Sequence, residues 1–414
     1  MNSATVRLTL CMILAHSLVF SASLDDYYPP ADKDGGWRTL KEPGAVRKTA
    51  GLDPVRLDEA FEYQKETSQN GGLIVVRHGY LVFEKYFGRG NREAHPDMAS
   101  IGKAFTSVSC GIMLHEKQAA FPEGLNTKVF TEIYLPQALP LDDPIKAQIT
   151  LGQLLSMSAG LHGEGTNPGV VNGVDQKLEP SARPAVPLDQ DQSALKTPLW
   201  TKPGDGYSYA SASPHIASIV LRNATGKELQ QYIQEKLAGP MGFGVWGYAL
   251  HRNGATLEHT PGGGSISLRA TDAVRLPYLL LHEGKWAGRE LVPASYVAMV
   301  GKPSPYNPHS PMGFMFEQNA DGHVFGAPRD AYFKSGAGGS AIYVIPSLDM
   351  VIYKMAASNA QLNPELTGLP LGYTPDVSRD NWTPLPHDQF HDGPVGGDDS
   401  VRRLLEMVAA AVIE

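Results

Sequence analysis

Cysteine is almost missing: Cys11 and Cys110 are the only two in 414 residues. That excludes a disulfide scaffold and a cysteine-rich zinc module. Positive charge is also in short supply. Lys and Arg total 35 against 43 Asp and Glu, a net charge of −8. No broadly basic surface is available for a polyanion, so nucleic acid is excluded as a general partner. Past residue 23, no apolar run approaches the roughly 20 residues that a membrane-spanning helix needs. There is no internal repeat, no triplet glycine period, and no serine in the G-x-S-x-G surroundings of a nucleophile elbow. These absences remove solenoids, collagen and the α/β-hydrolase fold. What is present suits a large core: 42% apolar residues against 19% charged. Glycine (43) and proline (32) add the mark of a loop-rich globular chain. At roughly 150 residues per domain, length alone suggests two or three domains.

Arg7 is the only charge before Asp25. Residues 8–20 are nearly all apolar, and Ser21, Ala22 and Ser23 follow. A positive start, a short apolar run and small residues describe a secretory signal peptide over residues 1–23, with a retained signal anchor as the alternative. Its loss removes Cys11 and leaves Cys110 as a lone thiol, so the expectation is an exported chain, periplasmic or secreted, with no internal disulfide. Residues 24–50, with Tyr27-Tyr28-Pro29-Pro30 and Gly35-Gly36, read as an extended leader.

From residue 51 the pattern is organised. Asp53 and Pro54 cap a helix running to about residue 67, with Leu57, Ala60, Phe61 and Gln64 on one face. Residues 73–77 and 81–87 flank His78-Gly79 as a hairpin. Helices are expected over 100–118, 151–157, 217–221, 226–238 and 271–281, with a long loop at 162–200. Short strands are expected at 313–317, 331–334, 341–345 and 350–355, then a proline-rich loop at 360–399 and a closing helix at 401–413. The chain thus reads as α/β (α+β): one antiparallel sheet joining the first hairpin to the late strands, flanked by terminal helices, plus a mostly helical lobe. The sheet lobe takes about 51–99 and 250–414, and the helical lobe about 100–249.

Two patterns are set aside. Gly242-Phe243-Gly244-Val245-Trp246-Gly247 matches a dinucleotide fingerprint but follows a helix, not a strand. His387 and His391 stand four apart beside Asp388 and Asp392, among Pro and Gly where no ordered metal site is expected. Cys110, seven residues after Lys103, reads as a buried small apolar residue.

One constellation carries chemistry. Ser100-Ile101-Gly102-Lys103 opens a helix and puts both side chains on one face. A neutral serine is a weak nucleophile and needs a proton acceptor in hydrogen-bond reach; a lysine one turn on serves if its pKa falls. A second Ser-x-x-Lys, Ser193 to Lys196, lies in the long loop with no helix expected to hold it. Further on come Pro203-Gly204-Asp205-Gly206-Tyr207-Ser208-Tyr209-Ala210-Ser211 and Lys334-Ser335-Gly336-Ala337-Gly338-Gly339. This order of Ser-x-x-Lys, Tyr-x-Ser and Lys-Ser-Gly resembles the serine β-lactamase and penicillin-binding protein superfamily. It is most similar to the class C β-lactamase-like branch of esterases, D-aminopeptidases and oligoamide hydrolases. Residues 149–161, Gly262-Gly263-Gly264 with Asp272, and 337–349 agree in order, so the resemblance covers about 50–358 and the last helix.

The resemblance implies a β-lactamase/transpeptidase-like fold and a serine hydrolase with no metal or organic cofactor. Ser100 would be acylated, Lys103 would accept or hold its proton, and Tyr209 would act as base and leaving-group acid, with Tyr207 as the competing register. Lys334 would add positive field, the N–H groups of Ser100 and Ala337 would form an oxyanion hole, and Ser211, Ser335 and Gly336 would line the substrate site. Substrates would be small esters, amides or peptides. Two departures bear on them. Ser211 stands where the branch often has Asn, while Lys-Ser-Gly is close to the lactamase Lys-Thr-Gly. A penicillin-binding or DD-peptidase-like protein, a true β-lactamase and a catalytically silent surface-binding protein are the alternatives.

Overall fold

The computed structural model describes residues 27–179, 190–248, 251–252, 255–359, 361–362 and 396–413. The expected signal segment, His387, His391 and most of the 360–399 loop lie outside the described residues.

Helices α1 (Pro43–Ala50) and α2 (Pro54–Thr67) each carry Pro at the first turn. The Asp53 carboxylate accepts from the Val55 N–H to cap α2, and Gly51, left-handed at φ 57°, ends α1. An extended leader is therefore corrected: Pro43 and Gly51 bracket a helix that buries Val46 and Ala50. Ahead of it, Trp37 packs edge-on against Tyr278 with centroids 5.0 Å apart.

Strands β1 (Asn70–Arg77) and β2 (Tyr80–Phe87) turn at His78 and Gly79, whose φ of 52° and 71° suit a two-residue hairpin. Four late strands complete the sheet: β3 (Glu317–Gln318), β4 (Tyr332–Gly336), β5 (Ser340–Ile345) and β6 (Met350–Ala357). The order is β3-β4-β5-β6-β1-β2, antiparallel throughout, with Asn70 opposite Ala357 and Arg77 opposite Met350. The first hairpin joins the late strands as the sequence implies. The strand expected at 313–317 is only Glu317–Gln318, because Met315 adopts φ 67° and the Gly313 N–H turns back to the Phe316 carbonyl.

Strand alternation sorts side chains into two cores. Leu73, Val75, Ala341, Tyr343, Ile345, Met350 and Ile352 face α2 and the terminal helix Asp398–Ala409. Ile74, Val76, Ile342, Val344, Val351 and Tyr353 face the helical side. At its centre runs α3 (Gly102–Glu116), buried all round from Gly102 to Met113. Against it packs α6 (Ala212–Thr225), and on α6 in turn pack α4 (Leu151–Leu155) and α5 (Gln190–Leu195). Thr150 and Gln153 form a reciprocal capping box for α4. One further expectation changes: the 162–200 loop contains α5, whose Asp191 is anchored on α6 by His215 and Arg222. Helix Arg275–Leu281, within the expected 271–281, packs on β5 and β6. Gly242 ends a helix at φ 72° and leads into strand Trp246–Tyr248, the reverse of a nucleotide-binding order.

Candidate active site

Ser100 sits in the single turn Ala99–Ile101 that leads into α3. Ala99 holds φ 46°, a strained value for a residue with a Cβ. The Asp97 carboxylate accepts its N–H at 2.8 Å, and its carbonyl accepts from the Ser265 N–H at 2.8 Å. The turn also needs close backbone contact: a Cβ on Gly102 would lie 2.9 Å from Gly264 Cα. Ser100 is half-buried at the end of this turn, and Lys103 below it is wholly buried. Lys103 Nζ donates to Ser100 Oγ at 2.8 Å and to the Gly263 carbonyl.

Tyr209 enters from the segment between the short strand Tyr207–Ser208 and α6. Lys334, at the centre of β4, donates to the Tyr209 hydroxyl at 3.0 Å. Lys103 and Lys334 Nζ lie 5.2 and 5.0 Å from the Tyr209 ring centroid. Tyr207 pairs instead with Val170, and burial pushes its phenol well above the usual range. The register that meets Ser100 and Lys103 is therefore the Tyr209 one.

Burial pushes the Lys103 ammonium below its ordinary value; Lys334 adds to this, while Tyr209 and Glu164 oppose it. Burial alone would raise the Tyr209 phenol. The charges of Lys103 and Lys334 and hydrogen bonds from Ser100 and Lys334 outweigh it, leaving the hydroxyl at about 8. Lysine and phenol are thus both pushed below their ordinary values, which suits the pair to exchanging a proton.

Beyond Lys334, Ser335 is half-exposed and Ala337 exposed at the turn into β5. A Cβ on Gly336 would stand 2.2 Å from the Met98 carbonyl oxygen. Its glycine is required by the approach of β4 to the nucleophile turn. The Ala337 turn is fastened from two sides. Gln361 Nε2 donates to the Ala337 carbonyl at 2.7 Å and the Asp97 carbonyl at 3.0 Å, and buried Lys354 donates to the Gly339 carbonyl at 2.6 Å.

Ser211 lies beside Tyr209 but is occupied. The Glu164 carboxylate accepts from its N–H at 2.8 Å and its hydroxyl at 3.1 Å. Among the described residues Glu164 forms no ion pair. The second Ser-x-x-Lys is on α5 and just past it; Lys196 is exposed and away from this cluster. Sequence reasoning missed Glu164, Gln361 and Lys354. Glu164 is a lone acid in a glycine-rich loop, Gln361 follows the last strand, and Lys354 interrupts the apolar alternation of β6, the one visible signal of the three. Cys110 is buried as expected, and burial pushes its thiol up to about 12.

The beta-lactamase family model matches residues 57–368. The chain belongs to the beta-lactamase family. Solved structures agree on the fold. A beta-lactamase candidate from Bacteroides dorei DSM 17855 superposes with TM-score 0.63 at 18% identity, covering 88% of this chain and 100% of its own. A penicillin-binding protein homologue from Caulobacter crescentus gives 0.56 at 15%, covering 87% and 98%. A family VIII carboxylesterase gives 0.56 at 17%, also covering 87% and 98%. No curated protein matches the chain. No helix among the described residues of this beta-lactamase-family chain is long and apolar enough to cross a membrane.

Proposed function

We propose that this chain is an exported serine hydrolase that transfers the acyl group of small esters or amides to Ser100 and then to water. The observation that carries the reading is the contact of Ser100 Oγ with buried Lys103 Nζ at 2.8 Å, beside a Tyr209 hydroxyl held by Lys334 at 3.0 Å. As Ser100 attacks the substrate carbonyl, its proton passes to the Lys103–Tyr209 pair. The negative oxygen that forms takes the N–H groups of Ser100 and Ala337. The proton is then delivered to the leaving group as the carbon–leaving-group bond breaks. Water attacks the Ser100 ester, the same pair accepts its proton, and Ser100 is restored on release of the acid.

Glu164, hydrogen-bonded to Ser211 beside Tyr209, puts a carboxylate next to the site, which supports neutral or cationic substrates over anionic ones. Export rests on the composition of residues 1–23. A serine-reactive fluorophosphonate is expected to label Ser100, and p-nitrophenyl acetate turnover to vanish in Ser100→Ala. Labelling and turnover that both survive that substitution end the proposal. A panel of short esters, D-amino-acid amides and nitrocefin separates the esterase or amidase reading from a lactamase. A labelled penicillin that stays bound would instead point to a penicillin-binding role.

A further inference from the structure

Behind Lys103 lies a buried imidazole–carboxylate pair that none of the steps above uses. His215 on α6 and Asp191 on α5 are both buried, with His215 Nε2 2.9 Å from Asp191 Oδ1. The other ring nitrogen, Nδ1, lies 3.1 Å from the backbone nitrogen of Gly262. A backbone N–H only donates, so Nδ1 accepts and bears no proton, and the proton on Nε2 points at Asp191. The contacts fix one neutral tautomer.

What the ring holds is part of the site. Gly262 and Gly263 are consecutive peptides gripped on alternate edges. His215 takes the Gly262 N–H, Thr106 Oγ1 donates to the Gly262 carbonyl at 2.7 Å, and Lys103 donates to the Gly263 carbonyl. The segment has no slack against α6: a Cβ on Gly262 would meet Ser218 Oγ at 2.4 Å and the Pro214 carbonyl at 2.6 Å. Asp191 is fixed in turn by Arg222. The other titratable groups here are His259, 3.9 Å from Asp191 and 3.9 Å from the exposed Glu258, and Glu228, which lies 2.9 Å from His259, accepts the Thr260 N–H at 3.0 Å and lies 3.7 Å from Arg222.

Building on the acyl-transfer reading, we infer that His215, oriented by Asp191, is a positioning residue for Lys103: it fixes the Gly262–Gly263 segment, whose Gly263 carbonyl aims Nζ at Ser100. Lys103 shares its protons between Ser100 Oγ and this carbonyl. A shift of the peptide removes the second acceptor and lets Nζ swing off the serine. The same loop carries Gly264 against Ala99, so its register also bears on the strained nucleophile turn.

Two isosteric substitutions separate this role from simple packing. His215→Asn keeps an oxygen near the place of Nδ1, able to accept the Gly262 N–H, and loses the reach to Asp191. His215→Gln keeps an amide N–H near the place of Nε2 and loses the acceptor. The readouts are the rate of fluorophosphonate labelling at Ser100, kcat and KM for p-nitrophenyl acetate across pH 5 to 10, and thermal midpoint. His215→Gln is expected to lower labelling and kcat roughly ten- to a hundredfold with KM little changed, and to move the acid limb of the pH profile. His215→Asn is expected to recover most of that loss despite breaking the Asp191 contact. Equal losses in the two variants, or an unmoved pH profile in His215→Gln, overturn the inference. If neither variant folds, 15N NMR of histidine in the unaltered protein decides: a protonated Nδ1 at His215 overturns the assignment, and a protonated Nε2 with bare Nδ1 upholds it. Failure of the acyl-transfer reading itself looks different, since the unaltered protein would then not label at Ser100.

Discussion

Lys103 and Lys354 make an instructive pair. Both are wholly buried, and each gives a proton to the carbonyl of a glycine, Gly263 in one case and Gly339 in the other. Burial depresses both, Lys354 to about 7 with no other group contributing. What differs is the rest of the surroundings. Lys103 meets a serine hydroxyl and a phenol, with Lys334 beyond. Lys354 stands in the middle of the sheet between Leu73 and Ala341 and props up the turn after Lys-Ser-Gly. A depressed lysine is thus no mark of catalysis by itself. The hydroxyls within its reach decide whether it moves protons or holds backbone.

The comparison breaks most visibly at the two lysines. Lys103→Met is expected to lower kcat on the order of a thousandfold or more, with less effect on KM. Steady-state kinetics on a short ester check it, and a loss confined to KM would contradict the proton-transfer role. Tyr209→Phe should cost on the order of a hundred- to ten-thousandfold and abolish the pH limb near the tyrosine's own value of about 8. Retention of that limb would show that another group titrates there. Lys354→Met acts on stability instead. Lys354 falls from 10.5 to about 7 on folding, so the unfolded chain binds more protons between those values and the native protein gains stability as pH rises through them. Replacing the lysine should therefore stabilise the fold by on the order of a few kcal/mol at pH 6 and by progressively less toward pH 10. Denaturant melts of both proteins at each pH measure the gap; a gap that widens with pH refutes the account. Gly336→Ala drives a methyl into the Met98 carbonyl and should destabilise by about 1–3 kcal/mol while displacing the nucleophile turn. The smallest change is Glu164→Gln. Glu164 raises the Lys103 pKa, so its loss should move the acid limb of kcat/KM to lower pH and favour anionic over cationic substrates by a few-fold. An unchanged substrate preference would remove Glu164 from the substrate site.

How much of this was legible depends on how local the signal is. The α2 cap at Asp53-Pro54, the His78-Gly79 turn and the alternation in β5 and β6 are written within a few residues of where they act, and they read correctly. That the first hairpin joins the late strands followed from the order of the expected elements and the need to layer them, while the choice of β6 as the neighbour of β1 is a tertiary result. The three motif residues Ser100, Lys103 and Tyr209 do meet, because the motifs record a shared geometry. What escaped is set by tertiary contact alone. Nothing near Glu164 announces Ser211, nothing near Gln361 announces Ala337, and the helix at Gln190–Leu195 is held by Asp191 through side chains on α6. The helix Pro43–Ala50 was missed for another reason: its Pro and Gly brackets stand in a stretch whose overall composition is that of a loop.

The seam between β1 and β6 also sets a timetable. Asn70 reaches across 287 positions to the Ala357 carbonyl, so the first hairpin waits for most of the chain before it acquires its inner neighbour. Loop closure over such a span is slow compared with local helix formation. The serine turn leans on Ser265, and on Gly336 from the far side, both of which emerge long after Ser100 itself. Until those segments arrive, the turn that carries Ser100 lacks the contacts that fix its shape.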